Sequence, residues 1–110
     1  NEIATGNLSG GNQQKVILAR MLHRNPNLLI VMHPTRGLDV GAIEFIHKRI
    51  IAARDNGCAV LLISTELDEI LTLSDRIGVI YEGALMGIIA QQHANTNEIG
   101  LMMAGSKKAL

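Results

Sequence analysis

Residues 7–15 read NLSGGNQQK, a glycine turn that leads into a predicted helix, and the fold follows from this stretch. Ser9 can cap the helix, because its hydroxyl can accept a hydrogen bond from a free N–H of the first turn. Gly10 and Gly11 let another molecule approach the backbone closely. The first-turn N–H groups and the positive end of the helix dipole favour an anion such as phosphate. The residues alone leave two interpretations open, an anion site or an ordinary capped helix start, since a glycine-rich turn is weak evidence by itself.

The composition excludes several classes of protein. The 110 residues include ten basic and ten acidic side chains, so the formal net charge is zero. A nucleic-acid-binding surface would normally show a basic excess, so we predict no nucleic-acid partner. The single cysteine, Cys58, excludes an internal disulfide framework and fits a reducing compartment. No apolar run approaches the roughly 18–20 residues of a membrane span.

Hydrophobic patterning after the glycine turn predicts alternating helices and strands. We expect helices over residues 11–24, 41–56, about 65–73 and 98–104, and strands over residues 28–33, 59–63, 77–81 and 84–90. The first helix is apolar on more than one face, which predicts substantial burial. The first two strands are short apolar runs between turn signals, as is typical of strands buried on both faces of a parallel sheet. The last two are so close in sequence that they must form an antiparallel hairpin. The predicted class is α/β.

The loop over residues 34–39 follows the first strand. In open α/β sheets ligands bind at the carboxyl ends of the strands, so this loop is predicted to lie in the functional crevice. Asp39 is also a good N-cap for the helix that comes next.

Residues 8–16, followed by Ala19 and Arg20, closely resemble the signature motif of ABC-transporter ATPases, and residues 12–15 are similar to those of sugar and nucleoside importers. From residue 6 to about residue 90, the segments match in order the C-terminal half of an ABC nucleotide-binding domain. The tail resembles the end of the second cassette in two-cassette importers. The resemblance implies that residues 1–110 are the C-terminal part of a P-loop NTPase domain. This part would have a mainly parallel sheet and a C-terminal antiparallel hairpin.

The resemblance also implies roles for individual residues. In the family, the signature motif caps the γ-phosphate of an ATP held by the partner cassette of a head-to-tail dimer, a role that here would fall to Ser9, Gly10 and Gly11. Gln13 lies near the usual glutamine of the motif. Residues 37–39 resemble the D-loop that links the two nucleotide sites. Asp39 is therefore predicted to act in that loop, in a helix cap, or in both.

Other positions depart from the family pattern. No Gly-x-x-x-x-Gly-Lys-Ser/Thr loop occurs in these residues, so the Walker A half of the cassette is absent from them. Where the family has Asp-Glu at the end of its Walker B strand, this chain has Met32 and His33. A thioether cannot replace a carboxylate at a hard Mg²⁺ ion. His33 could accept a proton near neutral pH, although a catalytically inactive strand end is the simpler interpretation. Thr65 occupies the position of the switch histidine and cannot act as a charged sensor.

The resemblance predicts a fragment of the ATP-binding and ATP-hydrolysing subunit of a sugar or nucleoside importer. ATP and Mg²⁺ would act in the parent assembly, with no cofactor and no activity expected for the isolated chain. The implied partners are a second cassette and transmembrane permease subunits, which would hold the protein at the cytoplasmic face of the membrane. The alternative is a non-catalytic interaction or regulatory module derived from a cassette. A third possibility, an ABC ATPase of DNA repair or chromosome maintenance, is disfavoured by the neutral charge and by the importer-like residues 12–15. Because half of a parallel sheet exposes an apolar edge and face, the isolated chain is also expected to self-associate.

Overall fold

A computed structural model describes residues 10–106, and within this range the chain is α/β. The predicted capping role of Ser9 therefore concerns a residue outside the described range. The chain divides into two compact units, with the boundary between Ser64 and Thr65. Within the described part of the chain, no helix combines the length and the apolar character that crossing a bilayer requires.

The first unit alternates helix and strand as predicted. Its elements are α1 (Gly10–His23), β1 (Leu28–Met32), α2 (Val40–Asp55) and β2 (Ala59–Ile63). The two strands are parallel, in a register that runs from Leu28 opposite Ala59 to Met32 opposite Ile63. Gly57 follows α2 with a φ of +94°, a left-handed conformation that glycine adopts without steric cost and that ends the helix.

The prediction that the first strands are buried on both faces is wrong for this chain. Burial alternates along β1: Leu29 and Val31 are buried, whereas Leu28, Ile30 and Met32 are 57%, 49% and 62% exposed. Successive side chains of a strand point to opposite faces of the sheet. The described residues therefore bury one face of the β1–β2 sheet and leave the other open, although both are apolar in sequence.

The first helix is also less buried than its composition predicts. In α1 only Gly11 and Leu18 are buried, and Val16 and Ile17 remain 43% and 51% exposed. The described residues cover only part of the helix circumference. An apolar sequence predicts that a surface can be buried, but the packing partners decide whether it is buried.

The open sheet face, defined here as Leu28, Ile30, Met32, Leu61 and Ile63, is expected to drive self-association of the isolated chain. These side chains are between 39% and 62% exposed, and removing apolar surface from water yields about 25 cal/mol per Å². Sedimentation velocity should therefore show dimers or larger species whose share grows with concentration.

A charged side chain on the open sheet face should weaken this association. Ile30→Glu is expected to shift the sedimentation profile toward monomer. Ile88→Glu is a matched control, because Ile88 is similarly exposed (47%) but lies in the second unit. A monodisperse monomer at the highest attainable concentration would contradict the expectation.

The second unit contains the predicted hairpin. Its elements are α3 (Leu67–Leu73), β3 (Arg76–Tyr81), β4 (Ala84–Ala90), a 3₁₀ turn (Gln91–His93) and α4 (Thr96–Met103). β3 and β4 pair antiparallel, and the φ angles of +48° at Glu82 and +80° at Gly83 suit the two-residue turn that joins them. Helix α4 begins two residues earlier than predicted, because the Asn95 side chain accepts a hydrogen bond from the Glu98 N–H at 3.0 Å and caps it.

The core of the second unit lies between the hairpin and α4. It consists of Ile77, Val79, Met86, Ile99 and Met102, all less than 8% exposed. Two hydrogen bonds end α4, from the Gly105 N–H to the Met102 carbonyl (3.0 Å) and from the Ser106 N–H to the Leu101 carbonyl (2.8 Å). This is the Schellman pattern, which places a left-handed glycine after the helix. Gly105 has a φ of +75°, as this motif requires.

Candidate functional site

The candidate anion site is the N-terminal end of α1. Helix α1 includes Gly10, one residue before its predicted range of 11–24, with Gly10 exposed and Gly11 buried. The first N–H groups of any α-helix lack partners inside the helix, so this end can donate hydrogen bonds to an anion. Gln13 is also exposed in the first turn. The structure therefore places Gly10 and Gly11, two of the three residues predicted to cap phosphate, on one helical turn with Gln13, and the third, Ser9, lies outside the described range.

Gly10 lies directly beside the loop that follows β1. A Cβ atom added at Gly10 would be 3.2 Å from the Cδ2 atom of Leu38. At that distance the leucine side chain would have to shift, so a glycine at this position permits the close approach. The predicted D-loop and the predicted signature motif are thus in contact within one chain.

The loop between β1 and α2 is held by its own backbone. The Arg36 N–H donates to the His33 carbonyl (3.3 Å), and the Leu38 N–H donates to the Thr35 carbonyl (3.2 Å). Gly37 has a φ of +73° between these turns. The loop ends at Asp39, where Oδ1 accepts a hydrogen bond from the Ala42 N–H at 2.8 Å. The N-cap role of Asp39 is therefore confirmed, while its role in a D-loop stays a prediction.

The two roles of Asp39 can be separated by substitution. Asp39→Ala removes the cap of α2 and should reduce the free energy of unfolding of the first unit by about 1 kcal/mol. Asp39→Asn keeps a capping oxygen and should leave the stability nearly unchanged. Urea unfolding followed by circular dichroism checks both variants. Equal stability of Asp39→Ala and the wild type would show that the cap contributes nothing.

Met32 and His33 lie at the end of β1, and the resemblance predicts that they occupy the positions of the family's two carboxylates. Met32 is 62% exposed, and the half-buried His33 has a φ of +45° while its N–H donates to the Ile63 carbonyl at 2.7 Å. Mg²⁺ prefers oxygen ligands in octahedral geometry, which a thioether and an imidazole do not supply. These residues therefore do not fit a magnesium ion. Between residues 10 and 106, no group of three or more His, Cys, Asp and Glu side chains could hold a metal ion.

Thr65 lies at the start of the second unit. It follows β2 after one intervening residue, is exposed, and precedes α3. Its side chain has no charge at any physiological pH. The inference that it occupies the switch-histidine position stays a prediction from the resemblance.

One contact between α1 and α2 was not predicted from the sequence. The Nζ atom of Lys15 lies 4.6 Å from the centroid of the Phe45 ring, within the range of a cation–π interaction. Phe45 is the only phenylalanine of the chain and is 42% exposed. Periodicity assigns residues to helix faces but does not reveal which residues on two separate helices meet, so no local signal pointed to this pair.

No family model matches the chain, but its sequence is similar to those of several ATP-binding proteins of importers. Over 94% of its length the chain is 60% identical to a nucleoside import ATP-binding protein of Lactococcus lactis. Over 90% it is 61% identical to a guanosine import ATP-binding protein of Bacillus subtilis, and over 98% it is 49% identical to a glucose import ATP-binding protein of Haloferax volcanii. The chain spans about a fifth of the length of these relatives, with shares of 20%, 19% and 20%.

Solved structures agree on the fold. An ATP-binding cassette of an ABC transporter superposes with a TM-score of 0.76 at 23% identity, over 92% of this chain and 40% of that one. A dimeric ATP-binding cassette bound to ADP and phosphate superposes with a TM-score of 0.69 at 26% identity, over 78% of this chain and 37% of that one. The predicted fold, part of an ABC-type P-loop domain with a parallel pair and an antiparallel hairpin, is confirmed.

Proposed function

We propose that this chain supplies a phosphate-capping helix to an ATP site on a partner cassette. The premise is its homology to part of the ATP-binding proteins of ABC importers. The observation that carries this proposal is the start of α1 at two consecutive glycines, with Gly10 exposed and next to the predicted D-loop. In this proposal residues 1–110 form the part of a cassette from the signature motif to the C-terminus.

The capping chemistry is that of a helix N-terminus. The backbone N–H groups at Gly10 and Gly11 would donate to the γ-phosphate of an ATP bound by the partner, and the helix dipole favours the negative charge there. The dimeric cassette bound to ADP and phosphate supports an arrangement of two cassettes around nucleotide. We propose that this arrangement is head-to-tail, so that the glycine end of one chain faces the nucleotide of the other.

The chain is not proposed to hydrolyse ATP by itself. Phosphoryl transfer needs a phosphate loop with its lysine, a magnesium-holding carboxylate and a group that orients water. The first is missing from these residues, and Met32 replaces the second. The imidazole of His33 could accept a proton at the position of the third, but no magnesium-holding carboxylate stands beside it. The ATP and Mg²⁺ of the working assembly are therefore assigned to the partner's site.

We propose import of a nucleoside as the process that the parent assembly drives. Relatives named for nucleoside or guanosine import are 60% and 61% identical to this chain, against 49% for the glucose importer. The proposed partners are a second cassette and transmembrane permease subunits. Attachment to those subunits would place the protein at the cytoplasmic face of the membrane.

The test compares ATP turnover with and without a partner. The isolated chain should show no saturable Mg-ATP hydrolysis. Assembled with a cassette that has its own Walker A loop and carboxylates, the chain should raise the hydrolysis rate of that cassette. Saturable turnover by the isolated chain would overturn the proposal.

A second candidate function is a non-catalytic interaction or regulatory module. It is favoured by Met32, His33 and Thr65, which replace the charged or catalytic residues of the family at three positions. Ser9→Ala and Ser9→Glu distinguish the two candidates. Loss of the partner's ATPase rate supports the phosphate-capping function, and an unchanged rate supports the interaction module.

A further inference from the structure

Two contacts lie at different heights in the packing of α1 against the segment formed by the loop 37–39 and α2. At the start of α1, Gly10 lies against Leu38, where an added Cβ would be 3.2 Å from Cδ2. Five residues later, Lys15 Nζ lies 4.6 Å from the centre of the Phe45 ring. A rise of 1.5 Å per residue separates the two contacts by about 7–8 Å along the helix axis. Helix α1 also packs along α2, where Leu18 and Ile46 are buried, and the two contacts add to that packing at different heights.

The Phe45 contact differs in kind from the burial of an ordinary core residue. The ring is 42% exposed on a helix whose buried positions are Ala42, Ile46, Ile50 and Ala53. Its neighbour across the helix pair is a charged ammonium group, which the negative face of an aromatic ring attracts. Leucine at this position would keep much of the apolar contact but not the attraction for the ammonium. The contact with Lys15 therefore favours an aromatic side chain at position 45.

The loop and α2 are linked rigidly to each other. The carboxylate of Asp39 accepts from the Ala42 N–H at 2.8 Å, and the Ile43 N–H donates to the Asp39 carbonyl at 3.0 Å. A displacement of the predicted D-loop therefore moves the start of α2. Phe45 lies within the first two turns of that helix, so the displacement also reaches Lys15.

We propose that Phe45 is a positioning residue: its ring holds Lys15 and, with the Gly10–Leu38 contact, makes the glycine end of α1 and the loop 37–39 move as one body. The consequence for a partner's ATP site rests on the proposed function, whereas the coupling of the two helices does not. In the assembly, a displacement of the predicted D-loop would be transmitted to the phosphate-capping glycines through these two contacts. Loss of the ring would loosen the glycine end without removing any group that touches phosphate.

Hydrogen-exchange mass spectrometry of the chain tests the coupling. In Phe45→Leu and in Lys15→Met, peptides of α1 should exchange about twofold to fivefold faster, the range expected for a partly exposed cation–π pair. The double variant should be no faster than either single variant, because both remove the same interaction. Phe45→Tyr and Lys15→Arg keep a ring and a cation and should exchange like the wild type. Leu101→Ala, an exposed apolar position (48%) on α4, is the control and should leave α1 unchanged.

Several outcomes would overturn the coupling. It is wrong if Lys15→Met and Phe45→Leu exchange at the wild-type rate in α1, or if their effects add in the double variant. If Phe45→Leu speeds exchange throughout the first unit, including β2, that variant has lost its fold. The coupling is then judged from Lys15→Met alone, because this substitution replaces a charged side chain on the helix surface.

A second readout in the assembled transporter separates this inference from the proposed function. Phe45→Leu and Lys15→Met should lower kcat for ATP at the partner's site by about twofold to fivefold with KM unchanged, since the nucleotide-binding groups are untouched. Phe45→Tyr and Lys15→Arg, which keep the ring and the cation, should have the kcat of the wild type. If Gly10→Glu leaves the ATPase rate intact, the proposed function fails while the exchange result stands. If Gly10→Glu abolishes the rate but the two coupling variants exchange like the wild type, only the inference fails.

Discussion

Gly10→Glu is expected to lower ATP hydrolysis at the partner's site by about 100-fold, because its carboxylate would repel the phosphate that the backbone N–H groups are proposed to cap. The new carboxylate would lie at the exposed start of α1, where the proposal places the γ-phosphate, and two like charges a few ångströms apart repel. The new Cβ would also meet Leu38 at 3.2 Å and disturb the predicted D-loop. Both effects act at the capping site and leave the partner's own catalytic groups intact. The measurement is the steady-state ATPase rate of the assembled cassette pair.

Two further variants separate charge from steric effects. Gly10→Ala adds the Cβ without the carboxylate and should give an intermediate rate. Gly100→Glu is the matched control, because Gly100 is an exposed glycine within α4 and no atom lies within 4 Å of its added Cβ. It should leave the rate unchanged. An undiminished rate for Gly10→Glu would mean that α1 does not face the partner's nucleotide.

Gly105→Ala is expected to destabilise the second unit by about 2–4 kcal/mol, as a sum of backbone strain and steric overlap. Gly105 has a φ of +75°, which side-chain-bearing residues rarely adopt. An added Cβ would also lie 2.5 Å from Cε2 and 2.7 Å from Cδ2 of Tyr81, so the ring would have to move. Tyr81 is the last residue of β3, and its ring packs over the end of α4. Urea unfolding followed by far-ultraviolet circular dichroism measures the loss.

A second glycine of the same unit isolates the strain. Gly83 has a φ of +80°, but nothing lies within 4 Å of its added Cβ, so Gly83→Ala should cost only the backbone part, about 1 kcal/mol. In a Tyr81→Leu background, Gly105→Ala should reduce the free energy of unfolding by little more than Gly83→Ala does. If Gly105→Ala and Gly83→Ala are equally destabilising in the wild-type background, the contact between Tyr81 and Gly105 does not contribute to the loss of stability.

The candidate site was predictable to the extent that it is local in sequence. The helix that follows the glycine turn and the capping role of Asp39 each depend on residues within a few positions of one another, and both predictions are confirmed. That Met32 stands at the position of the family's magnesium-associated carboxylate stays a prediction from the resemblance. The approach of Leu38 to Gly10 was not predicted, because the two residues are 28 positions apart. Only the packing of the loop against α1 brings them together.

The sequence by itself determined the order of the elements, the parallel pairing of β1 and β2, the antiparallel hairpin and the left-handed stop at Gly57. These features depend on local periodicity, on turn geometry and on the length of each connection. The tertiary structure alone decided which apolar faces are buried, since Leu29 and Ile30 are equally apolar but 1% and 49% exposed. It also decided which side chains meet across helices, as Lys15 and Phe45 do. The physical reason is that burial and contact are properties of pairs of elements, and a pattern along one element does not specify its partner.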